Sequence, residues 1–276
     1  REALSDRGFA TPTEPQRRAI PPLAAGENAL VIAPTGTGKT ETAMLPVLDQ
    51  IAAAEERHGI SALYITPLRA LNRDMLDRLE WWGETLDLEV DVRHGDTTDY
   101  QRSKQANDPP DVLITTPETV QAMLTGEKLR KALSDVEHLV IDEVHELAAS
   151  KRGAQLTIAM ERVQELSGPF QRIGLSATVG DPDEVAKFLT GSVRGEHRTQ
   201  RDYQIVEVDA GSKIDLEVVR PVITGADRNL AGELATEPEI ASHVRYIRDV
   251  VDENESTLVF VNTRQTAEAL GSRFKS

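Results

Sequence analysis

Ala33-Pro34-Thr35-Gly36-Thr37-Gly38-Lys39-Thr40 has the residue types and spacing of a phosphate cradle. The P-loop pattern opens with glycine, and Ala33 takes that place here. Gly36 and Gly38 let the backbone N–H groups of residues 35–38 turn inward on phosphate oxygens without a Cβ in the way. Lys39 can reach the β- and γ-phosphates, and the Thr40 hydroxyl can bind Mg²⁺. A second acidic motif completes this chemistry. Asp142-Glu143 follows the apolar run Leu139-Val140-Ile141, so both carboxylates sit at a strand end. Asp142 is suited to hold Mg²⁺, and Glu143 to orient and polarise an attacking water. Lys39, Asp142 and Glu143 are thus the expected catalytic set.

These residues need a scaffold that brings strand ends together. Short runs rich in β-branched residues recur at 29–32, 62–65, 112–114, 139–141, 173–175 and 258–261. Continuous apolar runs of this length read as strands buried on both faces, hence a parallel sheet covered by helices. Amphipathic stretches at 41–56, 70–82 and 118–133 alternate with them, which predicts a doubly wound α/β domain with a parallel sheet. Polar or small residues follow nearly every run, and ligands bind outside the carboxyl ends of such strands. The pattern loosens near residue 200. We expect a first domain over 1–200 and a second, truncated domain over 201–276, with strands at 204–208, 215–219 and 257–261. The charges at 161–165 read as a solvated helix face.

The 276 residues carry 46 acidic and 31 basic side chains, a net charge of -15. Only 8 of the basic residues are Lys. A strongly acidic, Lys-poor surface stays hydrated in concentrated salt, so a halophilic source is expected. The same charge argues against a broad electrostatic grip on nucleic acid; contacts to phosphates must be local. There is no cysteine, which excludes disulfides and thiolate chemistry. No apolar run approaches the roughly 20 residues of a membrane span, and a cytoplasmic protein is expected. The chain opens on Arg1 and reads as a piece of a longer polypeptide. No sequence feature points to an oligomer.

The tetrapeptide Asp142-Glu143-Val144-His145 brings a family into view. With the P-loop before it and Ser176-Ala177-Thr178 after it, the chain resembles superfamily 2 helicases of the DExH type. The segment ending at Gln16 resembles their Q motif, which implies that Gln16 reads the adenine edge of ATP. Thr66-Pro67-Leu68-Arg69 resembles motif Ia, Thr115-Thr116-Pro117-Glu118 resembles motif Ib, and His94-Gly95-Asp96 stands at a further family loop. The resemblance implies that Pro67, Arg69, Gly95, Thr115 and Thr116 hold a nucleic-acid backbone. Hydroxyls, backbone N–H groups and helix starts can do so without a basic field. Residues 258–264 resemble motif IV, at the front of the family's second RecA-like domain, which implies that 1–200 is a first RecA-like domain and makes Thr263 and Arg264 further contacts. Ser176 and Thr178 resemble motif III and, with His145, would couple ATP chemistry to strand movement.

The stretches 67–75, 78–84, 93–97, 114–124, 140–156 and 171–179 resemble large helicase-related (Lhr-like) proteins. That subgroup implies DNA in preference to RNA and 3′-to-5′ translocation. It also implies arginines from a second domain that close the ATP site, in motifs that would lie beyond Ser276, so this chain is expected to bind nucleotide but to turn it over poorly. Three rival readings stay open: another P-loop enzyme such as a kinase or GTPase-like switch, a binding module without catalysis, and a translocase that does not separate strands. Trp81 and Trp82 suit closing a helix against the core better than stacking on a base.

Overall fold

The protein is described from a computed structural model, which covers residues 11–67, 69–193, 199–209 and 216–275; the side chains of 69–75 and 275 lie outside the description. The apolar runs of the first 211 residues form strands. They are β1 (Ala29–Ile32), β2 (Ala62–Ile65), β4 (Val112–Thr115), β5 (His138–Ile141) and β6 (Gln171–Ser176), and every residue of these five is buried. Two further strands close the sheet, β3 (Val90–Arg93) and β9 (Gln204–Glu207). The order is β3-β4-β2-β5-β6-β1-β9, and every neighbouring pair is parallel. A two-residue hairpin, β7 (Ser192–Val193) with β8 (Thr199–Gln200), stands apart.

Successive strand residues point to opposite faces, and each face carries its own helices. Leu30, Ile32, Leu63, Ile65, Leu113, Leu139 and Ile141 pack on one side. There they meet α5 (Pro117–Met123), α6 (Glu127–Ala132), α7 (Val144–Ala148), α8 (Lys151–Ser167) and α9 (Pro182–Thr190). Ala29, Val31, Tyr64, Ile114, Val140 and Leu175 pack on the other. Their partners are α1 (Glu14–Ala24), α2 (Lys39–Ala53) and α3 (Arg69–Leu86). The remaining helix of this unit is α4 (Asp99–Asn107). Each fully buried Leu, Ile or Val contributes roughly 1.5–3 kcal/mol, so this two-sided core is the main force holding the strand ends in place.

Several expectations change. The amphipathic stretch 118–133 is two helices, α5 and α6, because Thr125 and Gly126 interrupt it. Strand β3 is half-buried at the sheet edge, and its charged residues hid it in the sequence. Glu161 is not a purely solvated charge. It takes ion pairs from Arg172 at 3.0 Å and Arg201 at 2.9 Å. Arg172 is buried inside β6 and also donates to the Thr190 carbonyl at 2.9 Å, anchoring the end of α9. Trp82 is buried against the core, and Trp81 meets it edge-on at 4.7 Å.

The chain divides into two compact units, 1–211 and 212–276. Strand β9, expected to open the second domain, instead pairs with β1, because a sheet edge there offers it a full ladder. The second unit contains α10 (Gly225–Glu233), α11 (Pro238–Glu253) and α12 (Arg264–Lys275). Within it Arg245 and Thr224 hold the Asp227 carboxyl well below the usual carboxylate range. The expected strands there do not form. Residues 216–219 and 257–261 lack a ladder, and Leu258 and Phe260 are 82% and 89% exposed. A parallel strand needs neighbours, and none flank these runs among the described residues. Residue 215 lies outside the description.

Candidate functional site

The sheet order sets the site. Strand β6 lies between β1 and β5, so the loops after these three strands adjoin at their carboxyl ends. The loop after β1 is the expected cradle. Gly36 and Gly38 have φ of 77° and 79°, a left-handed backbone that favours glycine. A Cβ on Gly38 would also come within 2.8 Å of the Gln16 side chain. The loop holds itself open. Thr37 donates to the Pro34 carbonyl at 2.7 Å, and Thr13 donates to the Thr37 carbonyl at 2.9 Å. Lys39 and Thr40 begin α2, whose N-terminal end favours an anion.

Lys39 is buried, and its ammonium donates to the Ala33 carbonyl at 2.7 Å. Burial lowers its pKa, while the Glu143 and Asp142 carboxylates act in the opposite direction. Glu143 responds in mirror image. Burial and then the Asp142 charge push its carboxyl up. Glu143 also takes a left-handed backbone at φ 44°, ψ 45°, which costs a non-glycine residue about 1 kcal/mol. Its Oε2 is buried without a hydrogen bond and lies 3.5 Å from His145 Nδ1. Asp142 is tied at both oxygens, by the Glu143 N–H at 2.9 Å and the Tyr64 phenol at 2.8 Å.

Gln16 joins this group from α1. Its Oε1 accepts from the Thr13 N–H at 3.0 Å, and its Nε2 is buried without a partner. The donor half of the amide is therefore the free half, while the acceptor half caps its own helix. A cleft of about 380 Å³ gathers Thr13, Gln16, residues 35–41, Arg78, Asp142 and Glu143. Arg78, from α3, forms an ion pair there with the buried Glu41. Sequence reasoning missed both Arg78 and Tyr64, since each looks like an ordinary helix or core residue. A larger depression, about 1060 Å³, opens among the strand starts around Gly26, His138, Phe170 and Tyr203, away from the phosphate loop.

The cleft has a donor set for one kind of metal. Thr40 and Asp142 offer hard oxygens, and no group of three or more His, Cys, Asp or Glu is arranged to hold a metal ion among the described residues. Such a site cannot cage an ion alone. It fits Mg²⁺, which keeps its waters and takes further oxygens from phosphates. The charges agree: Glu41, Asp142 and Glu143 outnumber Lys39 and Arg78, so a polyphosphate would enter with a cation to offset them.

The coupling residues come together. His145 Nδ1 and Ser176 Oγ are 2.7 Å apart, and Ser176 Oγ donates to the Thr178 carbonyl at 3.0 Å. Ser176 has one hydroxyl proton, so the imidazole proton sits on Nδ1. Thr178 thus takes part through its backbone.

The expected nucleic-acid contacts are more mixed. The Pro67 carbonyl accepts from Arg152 at 3.0 Å, and the Gly95 carbonyl accepts from Arg102 at 2.7 Å. Thr115 is fully buried, and its hydroxyl donates to the Arg93 carbonyl at 2.8 Å. It serves the sheet and cannot offer that hydroxyl to a strand. Thr116 is nearly buried and shares a 3.0 Å hydrogen bond with Thr119 at the start of α5. Arg69 opens α3 by its backbone, but its side chain lies outside the described residues. In the second unit Thr263 caps α12 through the Thr266 N–H at 3.1 Å, and Arg264 pairs with Glu268 at 2.9 Å.

Comparison with known proteins agrees with this arrangement. The chain is 38% identical to the ATP-dependent helicase Lhr-Core of Methanothermobacter thermautotrophicus over 98% of its own length. It is 41% identical over 96% of its length to a protein of Mycolicibacterium smegmatis named Lhr helicase/probable uracil glycosylase. It spans 32% of the first relative and 18% of the second. The structure of Mycobacterium smegmatis helicase Lhr bound to ssDNA and AMP-PNP matches with a TM-score of 0.78 and 38% identity, over 99% of this chain and 34% of that one. The expected halophilic source finds no support among these relatives. The DEAD/DEAH box helicase family matches residues 13–186, which contain the whole nucleotide cleft, and the chain belongs to that family.

Proposed function

We propose that this chain is the ATP-binding motor part of an ATP-dependent nucleic-acid helicase, acting on single-stranded DNA in preference to RNA and moving 3′ to 5′. The observation that carries the reading is the convergence of Gln16, the 35–40 loop, Asp142 and Glu143 on one cleft. The relative bound to ssDNA and AMP-PNP supports both ligands.

In this reading the free Gln16 amide N–H donates to adenine N7. Lys39 exchanges the Ala33 carbonyl for β- and γ-phosphate oxygens. Thr40 and Asp142 would hold Mg²⁺, which would neutralise phosphate charge there. Glu143 orients the attacking water, and its Oε2, which accepts no hydrogen bond, is placed to accept a proton. The loops at Pro67, Arg69, Gly95 and Thr116 hold one strand by its backbone, and His145 with Ser176 passes changes at the nucleotide to them. Thr263 and Arg264, in the second unit, are further contacts to a nucleic-acid backbone. The second unit is the start of a second RecA-like domain.

Strand displacement by a chain containing both RecA-like domains, on 3′- and 5′-tailed duplexes of DNA and RNA, tests the proposal. ATP-driven displacement on 3′-tailed DNA supports it. ATP hydrolysis without displacement on any substrate favours a translocase instead.

A further inference from the structure

Tyr64 carries no motif, yet it occupies a decisive place. It is the third residue of β2, fully buried, and beside Val140 of β5 in register. Packing alone would be served by valine or isoleucine, which suit a buried strand equally well. What the phenol adds is one oxygen between two elements. That oxygen donates to Asp142 Oδ2 at 2.8 Å.

A phenol has a single proton, and Asp142 takes it. The Asp142 carboxylate is held at both ends. Its Oδ1 accepts the Glu143 N–H at 2.9 Å while Oδ2 accepts the phenol, so the carboxylate plane cannot rotate freely. Asp142 directly follows β5, and Tyr64 reaches it from the neighbouring strand β2.

We propose that Tyr64 is a positioning residue for the divalent cation, fixing the Asp142 carboxylate so that it presents oxygen lone pairs to a Mg²⁺ brought in with the nucleotide. The inference rests on the nucleotide-site reading above and deepens it. Partners that orient metal ligands in this way typically change metal affinity about 10- to 100-fold when removed.

The test compares the wild-type chain with Tyr64→Phe, which keeps the ring and deletes only the oxygen. Binding of a fluorescent adenine nucleotide is measured in EDTA and again across a MgCl₂ titration. Melting curves in EDTA, without nucleotide, establish that the variant is folded. Tyr64→His, which retains a ring and a donor nitrogen, gives a second variant should Tyr64→Phe not fold. The expected result is nucleotide affinity in EDTA within about twofold of wild type, with half-saturating Mg²⁺ raised about tenfold or more. An unchanged Mg²⁺ midpoint overturns the inference. So does an equal loss of affinity in EDTA and in Mg²⁺, which marks a purely structural role. If wild-type binding ignores Mg²⁺ altogether, the nucleotide-site reading itself fails and takes the inference with it.

Discussion

Ser176 touches both halves of the nucleotide site: its hydroxyl is 2.7 Å from His145 Nδ1, and its carbonyl accepts the Ala33 N–H at 3.0 Å. One residue at the end of β6 thus bridges the phosphate loop and the acidic motif. Removing the hydroxyl should uncouple them without emptying the site. For Ser176→Ala we expect ATP hydrolysis within about threefold of wild type but strand displacement reduced about tenfold or more, the scale of a lost coupling energy of 1–3 kcal/mol. Parallel ATPase and displacement assays check this. Equal losses in both would count against a coupling role.

Gln16 offers a donor and no free cap. Its Oε1 already accepts from Thr13, and its Nε2 is buried without a partner. A buried unpaired donor is costly, so a ligand acceptor at that point is favoured. Gln16→Ala should lower the preference for ATP over pyrimidine triphosphates about tenfold, from loss of roughly 1–1.5 kcal/mol of hydrogen bonding. Competition binding with ATP, CTP and UTP reads this ratio. An unchanged ratio would show that the base is read elsewhere.

Glu143 is held at a cost to stability. Burial and the neighbouring Asp142 charge raise its carboxyl pKa in the folded chain. Between its unfolded and folded values the folded state binds more protons, so this group makes stability fall as pH rises through that window. Glu143→Gln removes the buried charge. In EDTA without nucleotide at neutral pH, its melting midpoint should lie above that of wild type, and the gap should close in acid, below the ordinary glutamate range. Its ATP turnover should drop about 100-fold or more, the scale of losing a general base. A variant that melts lower at neutral pH would contradict this.

Arg152 ties two loops that sequence reading kept separate. From α8 it donates to the Pro67 carbonyl and to the Glu118 carboxylate. The pair is about half exposed, so its direct contribution to stability is small, near 0–1 kcal/mol. Its value lies in fixing loop geometry. Arg152→Ala should weaken ssDNA binding about three- to tenfold with nucleotide affinity unchanged, because backbone contacts depend on position. Fluorescence anisotropy with a labelled oligonucleotide measures it. Unaltered ssDNA affinity would exclude this role.

The residues most legible in the sequence act through identity and local order. Gly36, Gly38, Lys39 and Thr40 announce a phosphate loop because backbone freedom and charge at fixed spacing have few other uses. Strands β1, β2, β4, β5 and β6 were legible because both faces of a parallel sheet must be apolar. Tyr64 and Arg78 were not, since their partners Asp142 and Glu41 lie 78 and 37 residues away along the chain. Thr115 was misread because a hydroxyl at a strand end looks available until the Arg93 carbonyl is seen beneath it. Residues 258–261 have a strand's composition without a strand's neighbours. Strand order also lay outside the sequence, and it is the order that puts Ser176 between the cradle and Asp142.

The most direct test is the steady-state rate of ATP hydrolysis, as ssDNA is titrated in, by a chain containing both RecA-like domains, with Lys39→Ala in that chain as the blank. The account predicts a rate that rises with ssDNA and saturates, above a Lys39→Ala baseline that does not respond. A wild-type rate that stays flat across the titration, or equals that of Lys39→Ala, would contradict it.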